Sequence, residues 1–391
     1  MVLSLPGRDG RLHFHRLSGR TPPPAPTGPA RSRVAFAAAH VVADALADTE
    51  PGGPARLDWD ATMAIRHQLW ALGLGVAEAM DTAQRGMGLD VAAARELIAR
   101  SAREAAACGG RIAAGAGTDQ LPFPPGPAPD GPAALAAVAA AYAEQCAFVE
   151  AQGAQVILMA SRALCAAARG SEDYAAVYGR VLGQLRRPAI LHWLGEAFDP
   201  ALAGYWGAAD LDAAAEHCLA VVRANAARID GLKVSLLDAR REEALRAALP
   251  AGVRLYTGDD FHYPELIAGD GLRHSDALLG IFDAIAPVAA AALHALDRGD
   301  RAACTELLAP TVPLSRHIFA APTHRYKTGL VFLAYVSGRQ PHFRMLGGQE
   351  SARSLPHLAE CLRLADAAGL LPDPELTAAR MRLLLALAGV D

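Results

Sequence analysis

The chain lacks most of the features that would place it quickly in a functional class. Its six cysteines (Cys108, Cys146, Cys165, Cys218, Cys304 and Cys361) contain no CxxC pair. They read as isolated thiols of a reducing compartment, without a zinc or disulfide framework. There is no basic excess: 37 Lys and Arg stand against 41 Asp and Glu, a formal net charge of −4. The footprint needed to hold nucleic-acid phosphates is therefore missing. No uninterrupted apolar run reaches the roughly 18 residues of a spanning helix. The first residues, MVLSLPGRDGRLHFHRL, lack the apolar core of a signal peptide. These absences predict a cytoplasmic protein with neither nucleic-acid nor membrane partners. Lysine is scarce too, because the basic residues are strongly biased to arginine.

What is present is ample core material: 391 residues, 52% of them hydrophobic and 20% charged. Residues 1–32 suggest a short hairpin followed by a Pro-rich arm, TPPPAPTGP. From residue 33, short apolar runs alternate with helical patterns. RVAFAAAHVV, VAEAM, GRIAAGAG, QVILMAS, PAILHWL, IDGLKVSLL and VRLYTGDD read as strands, each short and continuously apolar as buried parallel strands are. LDWDATMAIRHQLWALG reads as a helix with Asp58 as its N-cap. Close to eight βα units follow one another, which predicts a (β/α)8 TIM barrel over residues 33–285. A helical region over 286–391 follows, and everything from Asp276 onward reads as almost entirely helical. The Pro/Gly-rich stretch at 122–132 reads as an insertion at the barrel rim, a possible lid.

Barrel active sites form at the C-terminal ends of the strands, so the residues ending each run are the candidates. Lys233 in GLKVSLLD stands out. No other lysine occurs between Trp206 and Leu232, and lysine is rarely buried in an apolar strand. Inside a barrel its ammonium loses water, its pKa falls, and the neutral amine becomes a nucleophile for a ketone. Arginine does not deprotonate and could not serve. Around it stand Tyr256, His192 and Asp260 as candidates for moving protons. Asp81, Thr82, Gly117, Arg162, Glu196, Ser235, Gly258 and Asp259 are candidates for holding substrate. Arg162 suits a carboxylate or phosphate. Glu78, inside an apolar run, is either a carboxylate paired with arginine or a metal ligand or base. Arg325, Tyr326 and Lys327 in PTHRYKTG read as a helix N-terminus against the barrel or as an oligomer contact.

The order of GRIAAGAG, VILMAS, PAILHWL, DGLKVS and VRLYTGDD resembles the dihydrodipicolinate synthase / N-acetylneuraminate lyase superfamily of class I aldolases, over roughly residues 33 to 370. YTGDDFHYPELIAGDG, LLGIFDAIAP, PTVPLSRHIFAAPTHRYKTGLVFLAYVSG and GGQESARS resemble more closely one uncharacterised branch, the DUF993 proteins. The resemblance implies that Lys233, in Gly231-Leu232-Lys233, forms a Schiff base and that Gly258-Asp259-Asp260 ends strand seven. Two parts of the superfamily pattern are absent. The strand-two GTTGE loop is replaced by Ala79-Met80-Asp81-Thr82-Ala83-Gln84, in which only Thr82 keeps a comparable hydroxyl. The strand-four tyrosine that relays protons is replaced by Ser161-Arg162.

The expected function is a Schiff-base lyase, aldolase or dehydratase acting on a small, sugar-derived keto compound, with Lys233 as nucleophile and no cofactor. A second reading is a metal-dependent sugar isomerase or epimerase, with a divalent metal on Glu78, His192, Asp260 and His262. A third is a non-catalytic sugar-binding barrel. A homo-oligomer, dimer or tetramer, is expected by likeness to relatives of this fold.

Overall fold

The structure is a computed structural model that describes all residues except 25, 27, 51, 123–130 and 391; the insertion expected as a rim lid lies largely outside the described residues. Two strands, β1 (Val2–Pro6) and β2 (Leu12–Arg16), form an antiparallel hairpin. Eight more follow: β3 (Ala35–Ala38), β4 (Gly75–Glu78), β5 (Ile112–Ala116), β6 (Gln155–Leu158), β7 (Ala189–Leu194), β8 (Ile229–Ser235), β9 (Arg254–Thr257) and β10 (Asp276–Leu279). Each of the eight pairs in parallel with its sequence neighbours, and β10 pairs with β3 to close the barrel. The sequence reading places helix at Asp276–Leu279. The structure makes it the closing strand, because both its edges find parallel partners in β9 and β3.

The barrel helices are α1 (Trp59–Ala71), α2 (Val91–Cys108), α3 (Gly131–Ala151), α4 (Arg162–Ala167), α5 (Ser171–Leu182), α6 (Leu211–Ala224), α7 (Ala239–Ala248), α8 (Tyr263–Ala268) and α9 (Phe282–Asp297). Many start on the same device. A side-chain oxygen of Asp58, Asp90, Ser161, Asp210 or Asp238 accepts a backbone N–H of the first turn, each cap worth about 1 kcal/mol. α3 is long and apolar enough by composition to cross a membrane. Here its Val138, Tyr142, Cys146 and Val149 face inward, and the helix lies along β5 and β6.

Alternation divides each strand between two cores. Phe36, Ala38, Ala77, Ala113, Ile157, Ile190, Tyr256 and Leu278 fill the barrel interior. The intervening residues pack outward on the helices.

The tail holds α10 (Arg301–Leu308), α11 (Val312–Ile318), α12 (Tyr326–Val336), α13 (Leu355–Ala367) and α14 (Pro374–Leu387). Every residue of α12 is buried. The expected boundary at 285/286 falls inside α9, since that helix covers β3 and completes the eighth βα unit. The tail is tied to the barrel by a buried set. His40, just past β3, bonds Asp283 of α9 through Nδ1 and Gln340 Oε1 through Nε2 at 2.9 Å. Arg339 reaches Asp283 Oδ1 at 2.9 Å. The hairpin buries Leu3 and Leu5 on one face, and His15 and Ser18 both bond the Asp366 carboxylate of α13.

Candidate active site

Lys233 lies on β8 in register with His192 on β7 and Tyr256 on β9. All three side chains enter the barrel, but they part along its axis. The amine of Lys233 makes no hydrogen bond or ion pair to any described residue, although the residue is only 6% exposed. Burial lowers its pKa, opposed by the charges of Asp81 and Asp260. Asp260 is buried also, its Oδ1 accepting the Ile281 N–H at 2.9 Å. Burial raises its pKa, opposed by that N–H and by Lys233. A desolvated amine and a desolvated acid thus share one low-dielectric site, where burial favours the neutral form of each.

His192 is buried beside Lys233. Its Nε2 lies 3.2 Å from Ser235 Oγ, and its Nδ1 has no partner among the described residues. Burial, then the charge of Lys233, pushes its pKa well below the usual histidine range, so it stands as a neutral base. Gly258 explains the spacing across β8 and β9. A Cβ there would lie 2.2 Å from Ser235 Oγ and 3.0 Å from Lys233 Cε, so only glycine leaves room for the lysine stem.

The loop after β4 brings Asp81 and Thr82 to the mouth. Ala79 and Gln84, which flank them, hold left-handed φ values of 51° and 63°, the kind of strain that surrounding contacts must over-determine. Those contacts come from the tail: Gln84 Nε2 donates to the Leu346 carbonyl at 3.0 Å, and the Leu346 N–H returns to Gln84 Oε1 at 3.2 Å.

Thr82 Oγ1 lies 2.8 Å from the hydroxyl of Tyr326, the first residue of α12. That hydroxyl is buried, and burial followed by the nearby Asp81 drives its pKa far up. Lys327 follows, buried, its Nζ donating to the His324 carbonyl at 3.1 Å. Burial brings its pKa down to about 8, against Asp81 and Asp199.

Beside Asp81 opens a cavity of about 270 Å³ whose lining includes Gly117, Thr118, Ser161, Arg162 and Asp199. Arg162 Nε donates to Asp199 at 2.6 Å. Gly117 N–H donates to Gln145 Oε1 at 2.7 Å. Arg85 holds the ends of β4 and β5 together. It donates to the Gly115 carbonyl at 2.6 Å and pairs with Asp119. A larger groove of about 530 Å³ runs between residues 43–56 and 344–350. Neither cavity is lined by Lys233, His192 or Asp260, but the smaller one meets the barrel mouth at Asp81.

Several expectations are corrected by placement. Tyr256 turns toward the N-terminal end of the barrel, where its hydroxyl donates to Asp230 Oδ2 at 2.6 Å, away from any role at the mouth. Asp259 spends its carboxylate on the N–H groups of Phe261 and His262 and on the His262 ring, so it shapes a turn. Glu196 is exposed and does not line the cavity. The metal set is dispersed. Glu78 faces outward from the barrel, held by Arg66 at 2.8 and 2.9 Å and by Ser101 Oγ at 2.6 Å, while His262 pairs with Asp259. From sequence, Arg325, Tyr326 and Lys327 read as a helix N-terminus against the barrel or an oligomer contact; the structure starts α12 at Tyr326 and sets its hydroxyl on Thr82 at the barrel mouth. A signal existed for Lys327: Lys233 and Lys327 are the two lysines of the chain, against 35 arginines.

A closed eight-stranded parallel barrel with a lone buried lysine on its sixth strand defines a class by its fold, the (β/α)8 barrels. Within it the chain belongs to the DUF993 family, described as a protein of unknown function, which matches residues 3–390. No curated protein matches in sequence. Among solved structures, a dihydrodipicolinate synthase aligns with a TM-score of 0.64 at 14% identity, over 86% of this chain and 99% of its own. A prophage protein of the dihydrodipicolinic acid synthase family from E. coli K12, solved with pyruvate, gives 0.62 at 14%, over 91% and 98%. The dihydrodipicolinate synthase of Aquifex aeolicus gives 0.61 at 12%, over 92% and 98%. At these identities the likeness is one of fold.

Proposed function

We propose that the protein is a class I aldolase-type lyase that forms a Schiff base between Lys233 and a small, sugar-derived keto compound. The observation that carries this is the Lys233 amine, desolvated and without a partner among the described residues, beside the desolvated acid Asp260. The neutral amine attacks the carbonyl carbon, and the carbonyl oxygen takes a proton. Loss of that oxygen as water leaves the imine, with Asp260 supplying the proton that water carries away. The protonated imine then accepts the electron pair released when the adjacent carbon–carbon bond breaks, or when a hydroxyl group leaves as water.

The Tyr326–Thr82 hydroxyl pair is suited to moving the substrate proton, and neutral His192 is the second base in reach of the amine. These groups fill the part left by the missing strand-four tyrosine. Arg162 and Lys327 supply the positive charge suited to a carboxylate or phosphate. Asp81, Thr118 and Ser161 are suited to hydroxyl groups. The metal-dependent alternative draws no support, because its four residues are not gathered in one place.

Borohydride trapping tests the reading. Pyruvate and 2-keto-3-deoxy sugar acids are incubated with the enzyme, reduced, and the protein digested and mapped. An adduct on the peptide containing Lys233, absent from Lys233→Ala, is expected. With two lysines in the chain, an adduct has little ambiguity of position, and Lys327→Met separates the two. Trapping on Lys327 alone, or on neither lysine across the substrate panel, overturns the proposal.

A further inference from the structure

A second group of chemically able side chains lies in the helical tail. His357 and Cys361 are one turn apart on α13, at i and i+4, and so share a face. His317 comes from the neighbouring α11. The donor atoms of the three lie within 4.8 Å of one another. The two imidazoles stack with centroids 4.1 Å apart and 21° between planes.

The hydrogen bonding of the two histidines leaves a ring nitrogen of each unused. His317 Nε2 is 3.0 Å from the His357 carbonyl oxygen. A carbonyl only accepts, so that nitrogen carries the proton and Nδ1 is left with its lone pair, as in histidines whose other ring nitrogen is held by a carbonyl so that the first can ligate. His357 is only 7% exposed, and its Nε2 is buried with no hydrogen-bond partner among the described residues. Such an orphan is costly enough to call for a physical reason, about 1–3 kcal/mol. The charged groups nearest the ring are Arg353 and Arg8, with His317 alongside. Cys361 is fully buried and its thiol pKa is raised by burial, which leaves it inert without a metal.

We propose that His317, His357 and Cys361 bind a zinc-type divalent ion through two imidazole nitrogens and one thiolate, with a fourth position open to water. Binding forms one metal–sulfur and two metal–nitrogen bonds and releases the Cys361 thiol proton to solvent, so one proton leaves per ion. Tetrahedral zinc with these ligands places donor atoms roughly 3.3–3.6 Å apart, so the three side chains close by on the order of 1 Å. The thiolate charge offsets one unit of the ion's charge beside Arg8 and Arg353, and Glu360 lies at the same rim. Entry is through the shallow cavity lined by Arg8, His13, His317 and Glu360. α11 also carries Ser315, whose hydroxyl donates to the Asp260 carbonyl at 2.5 Å, so an ion here braces the helix behind the acid of the barrel mouth.

The test is titration of the purified full-length protein, stripped of metal, with Co2+ and with Zn2+. One cobalt per chain is expected, with the visible bands of a tetrahedral site and a thiolate-to-cobalt charge-transfer band in the near ultraviolet. Zinc should displace it and raise the melting temperature. Cys361→Ser should lose the charge-transfer band. His317→Gln, at a half-buried position, should weaken zinc binding at least tenfold, with its melting temperature in the absence of metal confirming that it folds. Borohydride trapping at Lys233 should survive in His317→Gln, which keeps this proposal separate from the aldolase reading. No charge-transfer band in the unmodified protein, a band that persists in Cys361→Ser, or zinc affinity unchanged in His317→Gln overturns it.

Discussion

On the proposed mechanism Lys233 attacks as the free amine, so the rate of adduct formation is expected to rise with pH as the amine deprotonates. Burial places that rise below the pH of an exposed lysine, and Asp81 and Asp260 push it partly back. Asp81→Asn removes one of the opposing charges, so the rising limb of the pH–rate profile moves to lower pH. Asp260 works in the opposite sense: its raised pKa keeps it protonated near neutrality, and it is lost as an acid at higher pH, which gives a falling limb. Asp260→Asn keeps an acceptor for the Ile281 N–H, removes the falling limb and slows the reaction near neutrality. Initial rates of trappable adduct with pyruvate from pH 5 to 10 check both. Tyr326→Phe removes the hydroxyl that meets Thr82. Turnover should fall about 100-fold, the lower range for a lost general acid or base, while stability changes by about 1 kcal/mol. Single-turnover kinetics beside urea unfolding separate the two effects.

At the scale of elements, the ion pair of Arg66 on α1 with Glu78 on β4 fixes how helix and strand meet. Both side chains are fully buried, and Ser101 of α2 and the Ala79 N–H complete the carboxylate's bonds. Removing one partner strands a charge: Arg66→Met should destabilise by about 3–5 kcal/mol. Arg66→Met combined with Glu78→Leu should recover most of that loss, because two well-packed apolar groups replace a costly buried pair. Denaturant unfolding of the two variants checks the difference. The pairing with arginine was one of two readings open from sequence. A charged residue in an apolar run announces that it has a partner, but Arg66 is twelve positions away, across the loop from α1 to β4. The eighth strand was hidden for a similar reason. Asp276–Leu279 is four residues long, too short to show a period, and its Ala-Leu-Leu suits helix or strand equally. His274 and Ser275, which precede it, lie at the N-terminal end of the strand. Ser275 bonds Glu242 of α7 there.

Across the whole molecule, the N-terminal hairpin and the helical tail form one body with the barrel. The hairpin buries Leu3, Leu5 and Leu17 and leaves Phe14 87% exposed on its other face. At roughly 1.5–3 kcal/mol for each fully buried leucine, deleting residues 1–17 should cost several kcal/mol. The Lys233 adduct should still form in the folded fraction, since no hairpin residue reaches the mouth. Thermal melting with parallel trapping checks this. The tail is different: α12 carries Tyr326 and Lys327, and Leu346 anchors the strained loop of Asp81 and Thr82. Removing the tail should abolish adduct formation along with stability.

The order of the βα units, the barrel and the place of Lys233 on its sixth strand follow from local pattern, because each short apolar run and each capped helix is decided by neighbours in sequence. Thr82, Asp260 and His192 followed too, as residues at strand ends. Side-chain direction did not. Tyr256 and Lys233 are register partners, yet one points to the bottom of the barrel and the other to its mouth, since Asp230 offers the phenol a half-buried acceptor. The contribution of Tyr326 and Lys327 depends on α12 folding back over a strand nearly 250 residues earlier, and the His317–His357–Cys361 group on two helices meeting face to face. Contacts of that range leave no periodic trace in the chain. Only the closed barrel and the packed tail bring them together.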